Sequence, residues 1–123
     1  MLLGQYIRDL EVACTERERV LASANAKLAL AGFTLYQTAH FIQRFDQRSG
    51  SPIESVRAFE SSLRELCARV TEIAGKKIAV KVEKYVFIYD ALRAGQVTAV
   101  SFWRTELNAH EALAGRGDIL IEG

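Results

Sequence analysis

The chain has 123 residues, of which half are hydrophobic and a quarter are charged. This balance is typical of a globular protein and excludes the polar, highly charged composition of a disordered chain. Sixteen basic residues oppose fifteen acidic residues, so the net charge of +1 argues neither for nor against a polyanionic partner.

The first predicted element is a long amphipathic helix over residues 3–31, followed by a stop at Gly32. The apolar positions along one face are Leu3, Ile7, Leu10, Cys14, Leu21, Ala24, Leu28 and Ala31, with a single interruption at Arg17. A helix of about 28 residues is about 42 Å long, which exceeds what a compact domain of this size usually needs. We therefore expect residues 1–31 to pack against a second copy of the chain and form a homo-oligomer.

Two more helices are predicted before residue 76. Thr34 is followed three residues later by a glutamine, which is the spacing of a capping box and predicts a helix over residues 34–48. Ser51 as N-cap and Pro52 at the first helical position predict the start of the third helix. Its apolar stripe continues with three- and four-residue spacing to a stop at Gly75.

The segment from residue 76 to residue 92 fits two structures. Ile78, Val80 and Val82 alternate as in a strand, whereas Ile78, Val82, Tyr85 and the apolar residues at 89 and 92 keep helical spacing. The set with helical spacing is the longer of the two and favours a helix. The alternative is a hairpin that pairs residues near 84–89 with residues 97–103.

A last helix is predicted over residues 98–114, and the tail from residue 116 has the apolar density of a short strand. Together these elements predict a single helical domain over residues 1–123. Its fold class is all-α: a compact bundle of four to five helices with a long N-terminal helix and a short extended C-terminal segment. The alternative is an α+β fold with a hairpin in residues 78–103.

The sequence offers little that indicates catalysis. His40 and His110 are the only histidines, and neither has enough ligand residues nearby for a metal site. Glycine-rich phosphate loops and the nucleophile motif of serine hydrolases are absent. Cys14 and Cys67 lie on apolar stripes and are predicted to be reduced and buried. We therefore expect a protein without catalytic residues, metal or cofactor.

One local cluster of basic residues supports a binding function. It comprises Arg69, Lys76, Lys77, Lys81 and Lys84. On a helix, Lys77, Lys81 and Lys84 would share one face and form a basic ridge able to neutralise several phosphates. The alternative function is therefore nucleic-acid binding through this ridge at residues 69–84.

The preferred function is non-catalytic protein binding, as an adaptor or regulatory subunit that acts through helix faces. Tyr36, Phe41 and Phe45 lie near the second predicted turn and are candidates for an exposed hydrophobic contact with a protein partner. The longest apolar run, residues 85–89, is much shorter than the roughly 20 residues that span a bilayer. We expect a cytoplasmic protein without a membrane segment.

Overall fold

The computed structural model describes residues 3–48, 52–113 and 115–123. Its elements, in chain order, are α1 (Leu3–Leu30), β1 (Thr34–Gln37), α2 (Ala39–Arg48), α3 (Pro52–Ala68), β2 (Lys77–Val82), β3 (Tyr85–Asp90), β4 (Gln96–Arg104), α4 (Ala109–Leu113) and β5 (Ile119–Glu122). Helices cover about half of the chain, and the strands form one mixed sheet. The expected all-α bundle is therefore wrong, and the α+β alternative with a hairpin in residues 78–103 fits.

The sheet has five strands in the order β1-β4-β3-β2-β5. The three central strands are antiparallel, and each short edge strand runs parallel to its neighbour. Strand β5 pairs with β2 from Ile78↔Ile119 to Lys81↔Glu122, which confirms the predicted extended segment at the C-terminus.

Strands β2 and β3 form a hairpin in which the apolar side chains of both strands lie on the same face of the sheet. Glu83 takes a positive φ of 54° in the two-residue turn between them. Ile78, Val80 and Val82 on β2 and the alternating aromatic residues of β3 consequently face the same side. Some of those positions also have helical spacing, which explains why the helix prediction for this segment is wrong. Residues 96–104 are likewise a strand rather than part of a helix.

The other helix predictions are correct in part. α1 matches the prediction closely and ends two residues before Gly32, which has a φ of 85°. The predicted capping box at Thr34 is wrong because residues 34–37 form β1. α3 begins at Pro52 as predicted but ends at Ala68, well before Gly75. The proposed N-cap Ser51 lies outside the described residues.

The main core lies between one face of the sheet and helices α1, α2 and α3. At its centre the ring of Phe102 lies 5.0 Å from Phe45, 5.1 Å from Phe87 and 6.5 Å from Phe41, measured between ring centroids. Aromatic pairs at these distances add to the stability that burial provides. On the other face, α4 contributes to a smaller cluster with Val86.

A β-bulge in β4 determines which side chains enter the main core. Ala99 is opposite Tyr89 on β3, but Ser101 is opposite Ile88, so Val100 is an extra residue without a partner. One inserted residue reverses the alternation of side chains along a strand. Phe102 is therefore buried in the main core, and the neighbouring Trp103 packs on the opposite face.

Thr38 connects this bulge to the start of α2. Its backbone N–H donates to the carbonyl oxygen of Ala99 at 3.1 Å, and its hydroxyl donates to that of Val100 at 3.3 Å. The same hydroxyl accepts a hydrogen bond from the backbone N–H of Phe41 at 3.0 Å, as an N-cap does. Thr38 therefore fixes the position of α2 beside the second half of β4.

We predict that Thr38→Val lowers the free energy of unfolding by about 1–2 kcal/mol, because it removes both hydrogen bonds of the hydroxyl while keeping the side-chain volume. Thr38→Ser keeps the hydroxyl and serves as the matched control, with an expected loss below about 0.5 kcal/mol. Urea denaturation followed by circular dichroism measures both. Equal stability of the two variants would contradict the role assigned to Thr38.

Candidate functional site

A shallow depression of about 730 Å³ lies where α2, the end of β4 and the segment after α4 meet. We call it the arginine groove, and its lining residues are His40, Arg44, Ser101, Trp103, Arg104 and Arg116. They are up to 76 positions apart in sequence, since the first is residue 40 and the last residue 116. None of them is among the residues that the sequence predicts to bind nucleic acid, a protein partner or a metal.

The fold explains why these side chains converge. Because of the bulge, Ser101 and Trp103 lie on the sheet face opposite the main core. Strand β1 pairs with β4 only as far as Ala99, and α2 then packs beside the remainder of β4. His40 and Arg44 are four residues apart on α2, so they lie on the same side of that helix.

The charge of the groove is uniformly positive. Among the described residues, three arginines line it, and no acidic residue does. Among the residues that the structure describes, Arg44, Arg104 and Arg116 form no ion pair with an acidic side chain. The guanidinium of Arg116 lies 5.2 Å from the centroid of the Trp103 ring, a cation–π contact that restricts its position.

The basic ridge does not form as predicted, because its residues belong to strands and turns instead of a helix. Its members are Arg69, Lys76, Lys77, Lys81 and Lys84. Lys84 lies 3.2 Å from the carboxylate of Glu54, and Arg69 lies 3.8 Å from that of a glutamate three residues later. The ammonium group of Lys81 donates to the carbonyl oxygen of Glu83. Lys76 and Lys77 are exposed. Binding of nucleic acid by these five residues stays a prediction.

The three aromatic residues predicted to contact a protein partner have different surroundings. Phe41 and Phe45 are buried, and each packs against the ring of Phe59. The expected exposure of these two residues is therefore wrong, since α2 turns this face toward the core. Tyr36 on β1 is 48% exposed and remains accessible.

The first third of α1 presents an apolar surface that nothing in the described structure covers. Every described side chain from residue 4 to residue 12 is exposed, and the first buried residue of the helix is Ala13. Ile7 is 46% exposed, Leu10 is 37% exposed, and Cys14 is also exposed. These three residues have the three- and four-residue spacing of one helix face. We call them the N-terminal patch.

The rest of α1 packs in parallel with α3. Val12 lies near Ile53 in a groove between the two helices, and Arg19 lies 3.2 Å from the carboxylate of Glu60. The segment of α1 that precedes Val12 therefore extends beyond the first described turn of α3. At 1.5 Å per residue, this segment is about 13–15 Å long.

Other classes of site are not seen in the described ranges. Within residues 3–48, 52–113 and 115–123, no group of three or more histidine, cysteine or acidic residues could hold a metal ion. The side chain of His110 is outside the described set. In the same ranges, no helix combines the length and apolar character needed to cross a bilayer.

Comparison with known proteins gives no relative to guide the interpretation: no family model, curated protein or solved structure matches the chain.

The two cysteines differ in accessibility. Both are free thiols, but Cys14 is exposed, so its expected burial is wrong, and Cys67 is only partly buried. Burial raises the pKa of the Cys67 thiol, an effect that the charge of Lys27 partly offsets. Because the thiolate is the reactive form, this raised pKa makes Cys67 the slower nucleophile.

We predict that Cys14 reacts at least about tenfold faster than Cys67 with a disulfide reagent at pH 7.5, because Cys14 is exposed and burial raises the pKa of the Cys67 thiol. The rates are measured at a protein concentration of about 2 µM, on the native chain and on Cys14→Ser and Cys67→Ser. Equal rates in the two variants would contradict the difference in environment.

Proposed function

We propose that the chain is a non-catalytic interaction protein, an adaptor or regulatory subunit, whose N-terminal patch binds a second copy of the same chain. The observation that carries this proposal is the exposed apolar face of the first third of α1. The cytoplasm is part of the proposal, supported by the two free cysteines, which are typical of a reducing compartment.

The spacing of α1 supports a helix–helix contact. Positions 7, 10, 14, 17, 21, 24 and 28 alternate three- and four-residue steps, as the seam of a coiled coil does. The later part of this seam is used within the chain, since Ala24 and Leu28 are buried. Arg17 marks the boundary, with its guanidinium 5.4 Å from the centroid of the Phe45 ring. Only the earlier part, Ile7 to Cys14, remains available to a partner.

The partner that fits this surface is an antiparallel second copy. Positions 3, 7, 10 and 14 are spaced four, three and four residues apart, a pattern that reads the same in both directions. An antiparallel pair would place Ile7 of one copy opposite Leu10 of the other, as an isologous two-fold interface requires. The antiparallel arrangement keeps the folded domains of the two copies at opposite ends of the helix pair. A parallel arrangement would bring the two domains side by side.

The expected affinity is modest. A contact between two helical segments of about 12 residues buries much less than the roughly 1,600 Å² of a standard interface. We therefore expect a dissociation constant of about 10 µM or weaker. Self-association should then depend on protein concentration over an experimentally accessible range.

We predict that the native chain shifts from monomer to dimer between about 5 and 500 µM in sedimentation velocity experiments. Ile7→Glu combined with Leu10→Glu should keep it monomeric over this range, because two charges from each copy would be desolvated in the contact.

The matched control is Ala22→Glu combined with Ala26→Glu, which adds the same two charges to exposed positions of α1 outside the patch. It should dimerise like the native chain. A native chain that stays monomeric up to about 500 µM, or a control that loses dimerisation equally, would overturn the proposal.

A further inference from the structure

The arginine groove has no part in the contact proposed for α1, because the two surfaces share no residue. Three features distinguish the groove from a surface with isolated exposed arginines. It is concave, its three guanidinium groups come from three separate parts of the fold, and none of the groups is paired with a carboxylate within the described residues.

Three positively charged side chains line this one depression. The native chain has a net charge of only +1, so this concentration of positive charge does not reflect a generally basic surface. A bound anion would gain charge-assisted hydrogen bonds from the guanidinium groups. An anionic ligand is therefore the chemical class that the groove fits.

Guanidinium groups favour phosphate over smaller or less charged anions. Their planar N–H donors match two oxygens of a phosphate at once, and they remain charged at all physiological pH values. The Ser101 hydroxyl lines the same depression and can donate a further hydrogen bond. The depression, of about 730 Å³, is large enough to accommodate more than one phosphate group.

We infer that the arginine groove binds a ligand with two or more phosphate groups, held by Arg44, Arg104 and Arg116. The contact with the Trp103 ring already restricts the Arg116 side chain. Binding therefore loses less side-chain entropy at Arg116 than it would at an unrestrained arginine. The phosphates can belong to a free diphosphate or nucleotide, or to the backbone of a single-stranded nucleic acid.

Trp103 provides a direct measurement, because it is the only tryptophan of the chain and it lines the groove. The full chain is titrated separately with inorganic pyrophosphate, a nucleoside triphosphate and a single-stranded 20-nucleotide DNA at about 50 mM salt. We expect a saturable change in tryptophan fluorescence with at least one of these probes. Calorimetry on the same samples gives the affinity independently of fluorescence.

Arg104→Gln and Arg116→Gln should each weaken binding about tenfold or more by calorimetry, since each removes a charge-assisted contact with phosphate. The control is Lys76→Gln combined with Lys77→Gln, which removes two exposed charges outside the groove. It should change the affinity less than about threefold. Circular dichroism spectra that match the native spectrum establish that each variant is folded.

Each outcome is decisive. Binding of pyrophosphate or the triphosphate that depends on Arg104 and Arg116 supports the inference with a free phosphate ligand. Binding of DNA alone with the same dependence supports it with a nucleic-acid backbone. Absence of binding by all three probes, binding that Arg104→Gln and Arg116→Gln leave unchanged, or equal weakening by the Lys76 and Lys77 control overturns it.

Discussion

The extra residue Val100 in β4 is the constraint on which both the core and the arginine groove depend. Before the bulge, Val97 and Ala99 face the helices; after it, Phe102 does. Without the insertion, Phe102 would leave the aromatic cluster that joins α2 and α3 to the sheet, and Trp103 would turn toward the core. The same register shift therefore places Phe102 in the main core on one face of the sheet and the indole of Trp103 on the other face.

Thr38 shows how a single polar side chain can maintain such a local irregularity. A bulge leaves backbone groups without their regular ladder partners, and buried backbone groups need a hydrogen bond. The Thr38 hydroxyl satisfies the carbonyl of Val100 and caps α2 at the same time. A similar contact protects the edge of the sheet, where the Asn25 side chain accepts a hydrogen bond from the backbone N–H of Leu35.

The parts of the fold that were predictable from sequence are those with one unambiguous period or signal. α1 has a long three-and-four spacing with a glycine stop, and β5 is a short apolar run. The β2–β3 hairpin was not predictable by periodicity, because Ile78, Val82 and Tyr85 satisfy both a helical spacing and one face of a hairpin. For that segment, the β-branched content was the more informative signal.

The two candidate sites also differ in how far the sequence predicts them. The N-terminal patch lies within one helix, so its spacing was visible in the sequence, although the sequence did not indicate which part of the stripe is exposed. The arginine groove combines residues from α2, β4 and the segment after α4. Its formation depends on the pairing of β1 with β4 and on the bulge, neither of which has a local sequence signal.

The register of β3 and β4 can be measured directly. Nuclear Overhauser contacts between backbone protons in the isotope-labelled chain report which residues are opposite each other. The bulge predicts contacts of Tyr89 with Ala99 and of Ile88 with Ser101, and no opposite residue for Val100. A continuous register, with Ile88 opposite Val100 and Phe87 opposite Ser101, would contradict it.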